Sequence, residues 1–478
     1  MARDVASSLV RCQMRVWILI AGVLAPVAAT AQQTTPRSDV TFTKDIAPIL
    51  QRSCQQCHGP RGLAPMPLTT YQEVRPWARA IKQKTARREM PPWFIEKTVG
   101  IQAFKDDPSL SDAEIEMIGK WVDSGAPMGN PADMPPMRQF PAAGAWVYGA
   151  PDLVVSSPVL TVTAVGADWH GPLENVAVPT GLTEDRWVKA VEVREFRPEE
   201  TTKATTANRA DGATPSYFTV HHAGVEVQRA DGGNSETVGE GAAPRSRGGL
   251  PRAELSYLYE VGQNPMIYPA NVGIRLPAGS KIVFPNNHFH SIGREVKMQI
   301  QAGFTFHPKD FVPKYPRGLS GLQLGADREL DIPAGEDNVR YDHFVTLPQP
   351  VKMVTFEPHL HASGKRMCQE VIYANGDRET LNCAGYNHNW VKAYVYADDE
   401  APLLPAGAIL HVTAWYNNTR SNPLVVDPRN WKGWGQRSID DMFFLLSKFL
   451  PLTDEEYKAE VAARQNRTRS TSTAGQNP

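Results

Sequence analysis

Five prolines between residues 127 and 141, at positions 127, 131, 135, 136 and 141, divide the chain into two stretches of different hydrophobic period. Proline lacks an N–H and fixes φ, so neither a helix interior nor a central strand tolerates that density. Residues 128–144 therefore read as a semi-rigid spacer. Ahead of it, from about Asp39 to Pro127, the spacing is helical. Pro76 suits a helix's first position, and Trp77, Ala80, Ile81 and Lys84 follow at helical intervals. Ser111 with Glu114 forms a capping box, Ile115, Ile118 and Val122 make an apolar stripe, and Gly125 is a stop. Beyond the spacer the period is two: Val159 to Thr163, Val191 and Val193 alternating with Glu192 and Arg194, and Ile409 to Tyr416. With 40 prolines and 36 glycines in 478 residues, short strands and many turns are favoured. The expected fold class is multidomain. A small all-α domain at 32–127 is followed by two all-β, jelly-roll-like sandwich domains at 145–330 and 331–455, the break falling near Asp331-Ile332-Pro333. Polar, Gly- and Ser-rich stretches at Thr201 to Pro215 and Arg229 to Pro251 are expected to be mobile loops, and 456–478 a disordered tail.

The first 31 residues read as a targeting segment. Arg3, Arg11 and Arg15 precede an apolar run from Val16 to Ala29, and Ala29-Thr30-Ala31 offers small residues for cleavage before Gln32. An uncleaved anchor is the alternative, for which the run is short. Cleavage would leave a protein without a membrane span, periplasmic or secreted. A formal net charge of −1 gives no electrostatic case for a nucleic-acid partner. An exported chain meets oxidising conditions, where Cys368 and Cys383 are available to pair. A two-residue turn at Asn375-Gly376 pairs positions summing to 751, which sets these cysteines opposite each other. By this count they occupy a hydrogen-bonded pair, a less usual place for a cross-strand disulfide, and two free thiols are the alternative.

Cys54-Gln55-Gln56-Cys57-His58 is C-x-x-C-H. Two thiols at this spacing add across the vinyl groups of a c-type haem, and the adjacent histidine ligates the iron. A redox dithiol is the blander reading. The sixth ligand would be a soft thioether. Met90, fixed by Pro91 and Pro92, is favoured over Met66, which lies only eight residues past His58. The segment resembles the c-type cytochrome modules of exported bacterial redox proteins, over roughly Val40 to Met128.

The β region carries His221-His222, His288-Phe289-His290 and His359-Leu360-His361. Residues two apart on a strand share a face, so an H-x-H pair can hold one metal. Adjacent histidines point to opposite faces, so His221 and His222 share an ion only at a bulge or strand end. Imidazole alone allows zinc, copper, iron or nickel. Pro358-His359-Leu360-His361-Ala362-Ser363-Gly364-Lys365 resembles the H-x-H…G-K signature of the copper type II, ascorbate-dependent monooxygenases, the family of peptidylglycine α-hydroxylating monooxygenase and dopamine β-hydroxylase. His221-His222 and His288 are similar to that family's paired and third histidines. Asp440-Asp441-Met442 resembles its D-E-M segment, with Asp441 in place of glutamate. The likeness covers roughly residues 145 to 450.

The resemblance implies two mononuclear coppers: one on His221, His222 and His288 storing an electron, the other on His359, His361 and Met442 activating dioxygen. Phe289 stands where tyrosine is common, and His290 is an additional candidate ligand. The expected activity is a haem- and copper-containing monooxygenase acting on O2 and a small-molecule or peptide substrate. The haem, reduced by a redox donor, would relay single electrons to the coppers. The competing expectation is an electron-carrying cytochrome whose β domains bind copper or a docking partner without catalysis.

Overall fold

The computed structural model describes residues 40–474 apart from 61–63, 65, 141–145, 147, 166–167, 198–218, 231–254, 261–264, 317, 326–328, 436 and 438. The targeting segment at 1–31 lies outside the described residues, as do most of the two polar loops.

Before the spacer, helices form where capping and spacing direct them, and they are short. Ala47–Ser53, Tyr71–Val74, Ala78–Ala86 and Asp112–Asp123 have 7, 4, 9 and 12 residues. Ser111 and Glu114 make the expected reciprocal cap, and Gly125 ends the last helix at φ +91. A second capping box, Thr70 with Glu73, starts the middle helical run at Tyr71, ahead of Pro76. Phe42, Leu50, Ile81, Ile118 and Trp121 share a small core.

The expected small all-α cytochrome domain at 32–127 is nevertheless not what the chain builds. The protein is predominantly β, and part of this segment belongs to a β core. Residues 93–105 leave the helices and lie along a sheet edge. Ile95 bridges Ala384, and Phe104 bridges Tyr396. Glu96 N–H donates to the Cys383 carbonyl at 2.9 Å, and Ile101 N–H to that of Leu381 at 2.9 Å. Trp93 inserts edge-on against Tyr394, with ring centres 4.8 Å apart. Pro91 and Pro92 stop any helix ahead of this strip, and the sheet edge at Ala384 satisfies its backbone instead.

The strands after the spacer form two layered pairs of sheets. In the first pair, a six-stranded sheet centred on Val296–Phe306 and Arg186–Phe196 shares a core with another six-stranded sheet. The latter runs Asp168–His170, His288–His290, Val220–Gln228, Lys281–Val283, Ala177–Pro179, with Ser256–Glu260 also on Val220–Gln228. In the second pair, a five-stranded sheet built on Phe444–Pro451 faces a four-stranded one. The four-stranded sheet runs Asp337–Thr346, Ile409–Asn417, Gly364–Ile372, Arg378–Gly385. Ser320–Leu324, ahead of the expected break near Asp331, already pairs with Phe444–Pro451. Val354, Leu450 and Leu452 from the second half join the first core.

Two further expectations are corrected. Within the expected tail, Asp454–Ala474 is a 21-residue helix, and residues 475–478 lie outside the described residues. Thr453 and Glu456 cap it reciprocally, and Glu460 binds Lys314 at 2.7 Å. Cys368 and Cys383 are bonded, yet the turn differs from the one expected. Tyr373 N–H donates to the Asp377 carbonyl, so three residues make the turn and the pairs sum to 750. A bulge at Leu381 then restores the 751 register at the cysteines. The same shift moves them to a non-hydrogen-bonded pair, with Cα atoms 4.1 Å apart, where a cross-strand disulfide is at home. Among the described residues no helix is long and apolar enough to cross a membrane.

If Trp93 is part of the second core, truncating it to alanine costs about 3–5 kcal/mol. Urea denaturation of Trp93→Ala checks this, and a loss below about 1 kcal/mol, the size of an ordinary surface change, would show the strip to be merely laid on the surface.

Candidate metal centre

The first histidine group is made by a defect in strand pairing. His288 pairs with His222, but the next residue, Phe289, pairs with Val220. His221 is the extra residue of a β-bulge, and the bulge turns its side chain toward the same region as its neighbour's. The nitrogens of His221, His222 and His288 consequently lie within 4.8 Å of one another. Their ring centres are 5.1 to 5.4 Å apart. His290 adds a fourth ring, 4.5 Å from His288 and 5.0 Å from His221. The strand pairing is held in place beside the group. Gly224 N–H donates to the Pro285 carbonyl at 2.7 Å, an approach a Cβ at 224 would block. Buried Asn287 accepts from Leu173 N–H and donates to the Phe284 carbonyl at 2.6 Å.

The second group sits where Pro358–His359 pairs with the start of Phe444–Pro451. His359 lies opposite Phe444, so two residues on, along antiparallel chains, His361 comes opposite Met442. The buried Asp441 carboxylate fixes that junction. One oxygen accepts from His361 N–H at 3.1 Å and Met442 N–H at 3.0 Å, the other from Ser363 N–H at 3.0 Å and the Ser363 hydroxyl. Burial raises this carboxyl to about 6, against the lowering effect of those hydrogen bonds. The Met442 carbonyl accepts from Tyr416 at 2.6 Å, and the residue is 1% exposed. The rings of His359 and His361 are 5.6 Å apart. His361 Nδ1 faces the Arg437 carbonyl at 3.1 Å, which directs Nε2 away from it. Gly364 is required here because a Cβ would strike Leu360, between the two histidines. Lys365 is an anchor to the turn at Asp337, reaching both carboxylate oxygens at 2.9 and 3.1 Å.

Two side chains that the sequence reading did not single out join the groups. His388, a lone histidine in a loop, has its ring 5.0 Å from that of His221 and 5.0 Å from that of His361. Glu260, fully buried, pairs along the strands with His222 and places Oε1 3.3 Å from His359 Nδ1. The sequence signal for His388 was weak, since a single histidine without an H-x-H partner is usually unremarkable. Glu260 was more legible, as an acid ending the aromatic strand Ser256–Glu260.

Burial, then mutual repulsion, holds His221 and His361 well below the ordinary imidazole value and lowers His388 to about 3. These rings are neutral near pH 7 and offer lone pairs, as metal ligation requires.

The C-x-x-C-H motif lies apart, at the end of Ala47–Ser53. His58 N–H donates to the Cys54 carbonyl at 2.9 Å, so one turn separates the cysteines, and both thiols are free. His58 Nδ1 faces the Met66 carbonyl at 3.0 Å, the arrangement that presents Nε2 to a metal. Met66 packs against the helical core, whereas Met90 stands at the cis Met90–Pro91 bond outside it. Half-buried Lys392 lies close enough to Cys57 for each to feel the other's charge.

No protein-family model matches the chain, and no curated protein matches it.

The strand bearing His221 and His222 also buries Glu226, whose carboxyl is raised from 4.5 to about 7, chiefly by desolvation. Between those values the unfolded chain has lost this proton and the folded chain keeps it, so this group's contribution to stability falls as pH rises. Glu226→Gln removes the fall. In urea unfolding of metal-free protein, the variant should exceed the parent by about 3 kcal/mol at pH 8 and by little at pH 4. Equal pH dependence in both would refute the assignment.

Proposed function

We propose that this chain is an exported monooxygenase that uses two copper ions and a covalently attached haem to place one oxygen atom of O2 into a substrate C–H bond. The observation that carries the reading is a row of imidazoles in which the His221/His222/His288 group adjoins the His359/His361 pair, with Met442 opposite His361 in the backbone register. Copper bound there would supply the one-electron steps and the activation of dioxygen. The balance is R–H plus O2, two electrons and two protons, giving R–OH and water.

The chain's own residues fit these demands. Neutral imidazoles bind either oxidation state of copper, and the Met442 thioether is a soft ligand that favours the reduced one. A three-ligand shell leaves a position for a further molecule. The Arg437 carbonyl orients His361, and the Glu260 carboxylate stands beside His359, as outer partners do around metal-bound histidines. The Asp441 staple keeps Met442 and His361 in register. Cys54, Cys57 and His58 suit haem c, with Met90 as the proposed axial thioether; His/Met ligation favours a high potential and simple electron transfer. Carrying the haem on the same chain raises its effective concentration at the coppers. An external redox protein would supply the electrons.

The test is made on protein matured with haem, with and without copper. Loaded protein should hold about two coppers per chain, the number of three-ligand shells, and show a Cu(II) resonance signal lost on reduction. After reduction and mixing with oxygen, its haem should reoxidise faster than in the copper-free form. Equal reoxidation rates would defeat the coupling of haem to copper, and a metal-free or zinc-loaded centre would defeat the oxygenase reading.

A further inference from the structure

We propose that the β half of the chain completes the haem site, with Lys392 standing at the haem edge beside Cys57 and raising the reduction potential. This rests on the haem reading above and goes beyond it, since that reading draws the haem's partners only from residues 54–90.

The helical segment is too small to enclose the group alone. Its helices have 4 to 12 residues, and its core gathers around Phe42, Leu50, Ile118 and Trp121. A haem presents two broad apolar faces, and both must be covered to keep water from the iron. The two chain segments that would hold it turn toward the same part of the β half. On the C-x-x-C-H side, the Lys392 ammonium is near enough to Cys57 to bear on its ionisation. On the thioether side, Met90 is followed by Trp93, whose ring stands edge-on to Tyr394 with centres 4.8 Å apart. Phe94 N–H donates to the Tyr394 hydroxyl at 3.2 Å, and its carbonyl accepts from Gly385 N–H at 2.9 Å. Lys392 and Tyr394 are two residues apart, so one short stretch meets both segments. Val391 and Tyr394, both buried, root that stretch in the second half.

The charge is also held in place. The Lys392 ammonium lies 5.5 Å from the centre of the Trp390 ring, and Trp390 N–H donates to the Asn387 carbonyl at 2.9 Å. Arg138 is the other cation that Cys57 feels. It is exposed and donates to the Gln51 carbonyl at 3.0 Å, so water screens it more than half-buried Lys392. Ferric haem carries one positive charge more than ferrous haem. A fixed ammonium beside it therefore disfavours the ferric form, more strongly where water is excluded. At an effective dielectric constant of about 20, a unit charge within about 10 Å shifts the ferrous-to-ferric ratio on the order of 10-fold.

The experiment uses the full chain matured with haem and kept free of copper, so that the haem alone is read. Redox titration followed by haem absorbance compares the parent with Lys392→Arg, Lys392→Met and Lys392→Glu. Lys309→Met is the control, an exposed lysine paired with Glu184. Lys392→Met should shift the equilibrium on the order of 10-fold toward ferric haem, about 59 mV for one electron. Lys392→Glu should shift it further the same way, while Lys392→Arg and the control should match the parent. A packing role would not follow charge, because methionine keeps the apolar stem and arginine changes the shape of the head. Equal potentials in all five proteins would overturn the placement of Lys392 and leave the haem reading standing. A shift in Lys392→Arg as large as that in Lys392→Met would also overturn it. Should the glutamate variant attach no haem, methionine against arginine decides the question. A parent that attaches no haem would overturn both readings.

Discussion

Removing an imidazolium from water costs more than a marginally stable fold can supply, so histidines gathered in an interior must be neutral. Seven are gathered here: His221, His222, His288, His290, His359, His361 and His388. Neutral rings still carry a basic nitrogen each, and the surrounding strands cannot donate to all of them because their N–H groups are spent on sheet pairing. The rest of the architecture around the centre follows from that constraint. Carbonyls of Arg437 and Leu360 take one side of a ring, and the opposite nitrogens converge. Glu260, a buried acid against the row, faces His359 at 3.3 Å.

The convergence depends on two local irregularities in otherwise regular sheets. One is the bulge at His221, without which His221 and His222 would point to opposite faces. The other is the short pairing of His359 with Phe444, whose continuation brings Met442 level with His361. Each sits at the end of a strand rather than in its middle, where a sheet can bend without losing its ladder. Gly224 meets the Pro285 backbone beside the first point, and Gly364 meets the Leu360 side chain beside the second.

What the sequence made legible was local. The H-x-H pairs, the Ser111–Glu114 cap and the strand at Ile409–Asn417 are signals carried by neighbours in the chain, and the structure forms the cap and the strand where expected. What it hid was tertiary. Trp93 to Lys105 has no period of its own because its ladder partners, Leu381 to Gly385 and Val395 to Ala397, lie about 300 residues away. The helix at Asp454–Ala474 shows no apolar stripe because it is held by its cap, by Glu460 with Lys314 and Tyr315, and by Arg464 on the Ala401 carbonyl. The Cys368–Cys383 pairing came out right although the turn did not, because a three-residue turn and a one-residue bulge cancel. His388 had only a weak signal, since it stands alone in a loop and its neighbours in space are on distant strands.

The loop that holds His388 has a second contact that bears on how the halves of the molecule communicate. Four residues on, half-buried Lys392 lies near enough to Cys57 for their charges to interact, and Val391 just before it is fully buried. Five consecutive residues, 388 to 392, thus run from the imidazole row toward the C-x-x-C-H turn, which the Pro-rich spacer separates from it in sequence. Ladder bonds from Phe94 to Gly385 and from Glu96 to Cys383 pin the strand that leads into this loop. A tether alone would keep the motif and the imidazoles on one chain. A loop that runs between them also limits their separation, which the proposed electron relay would use.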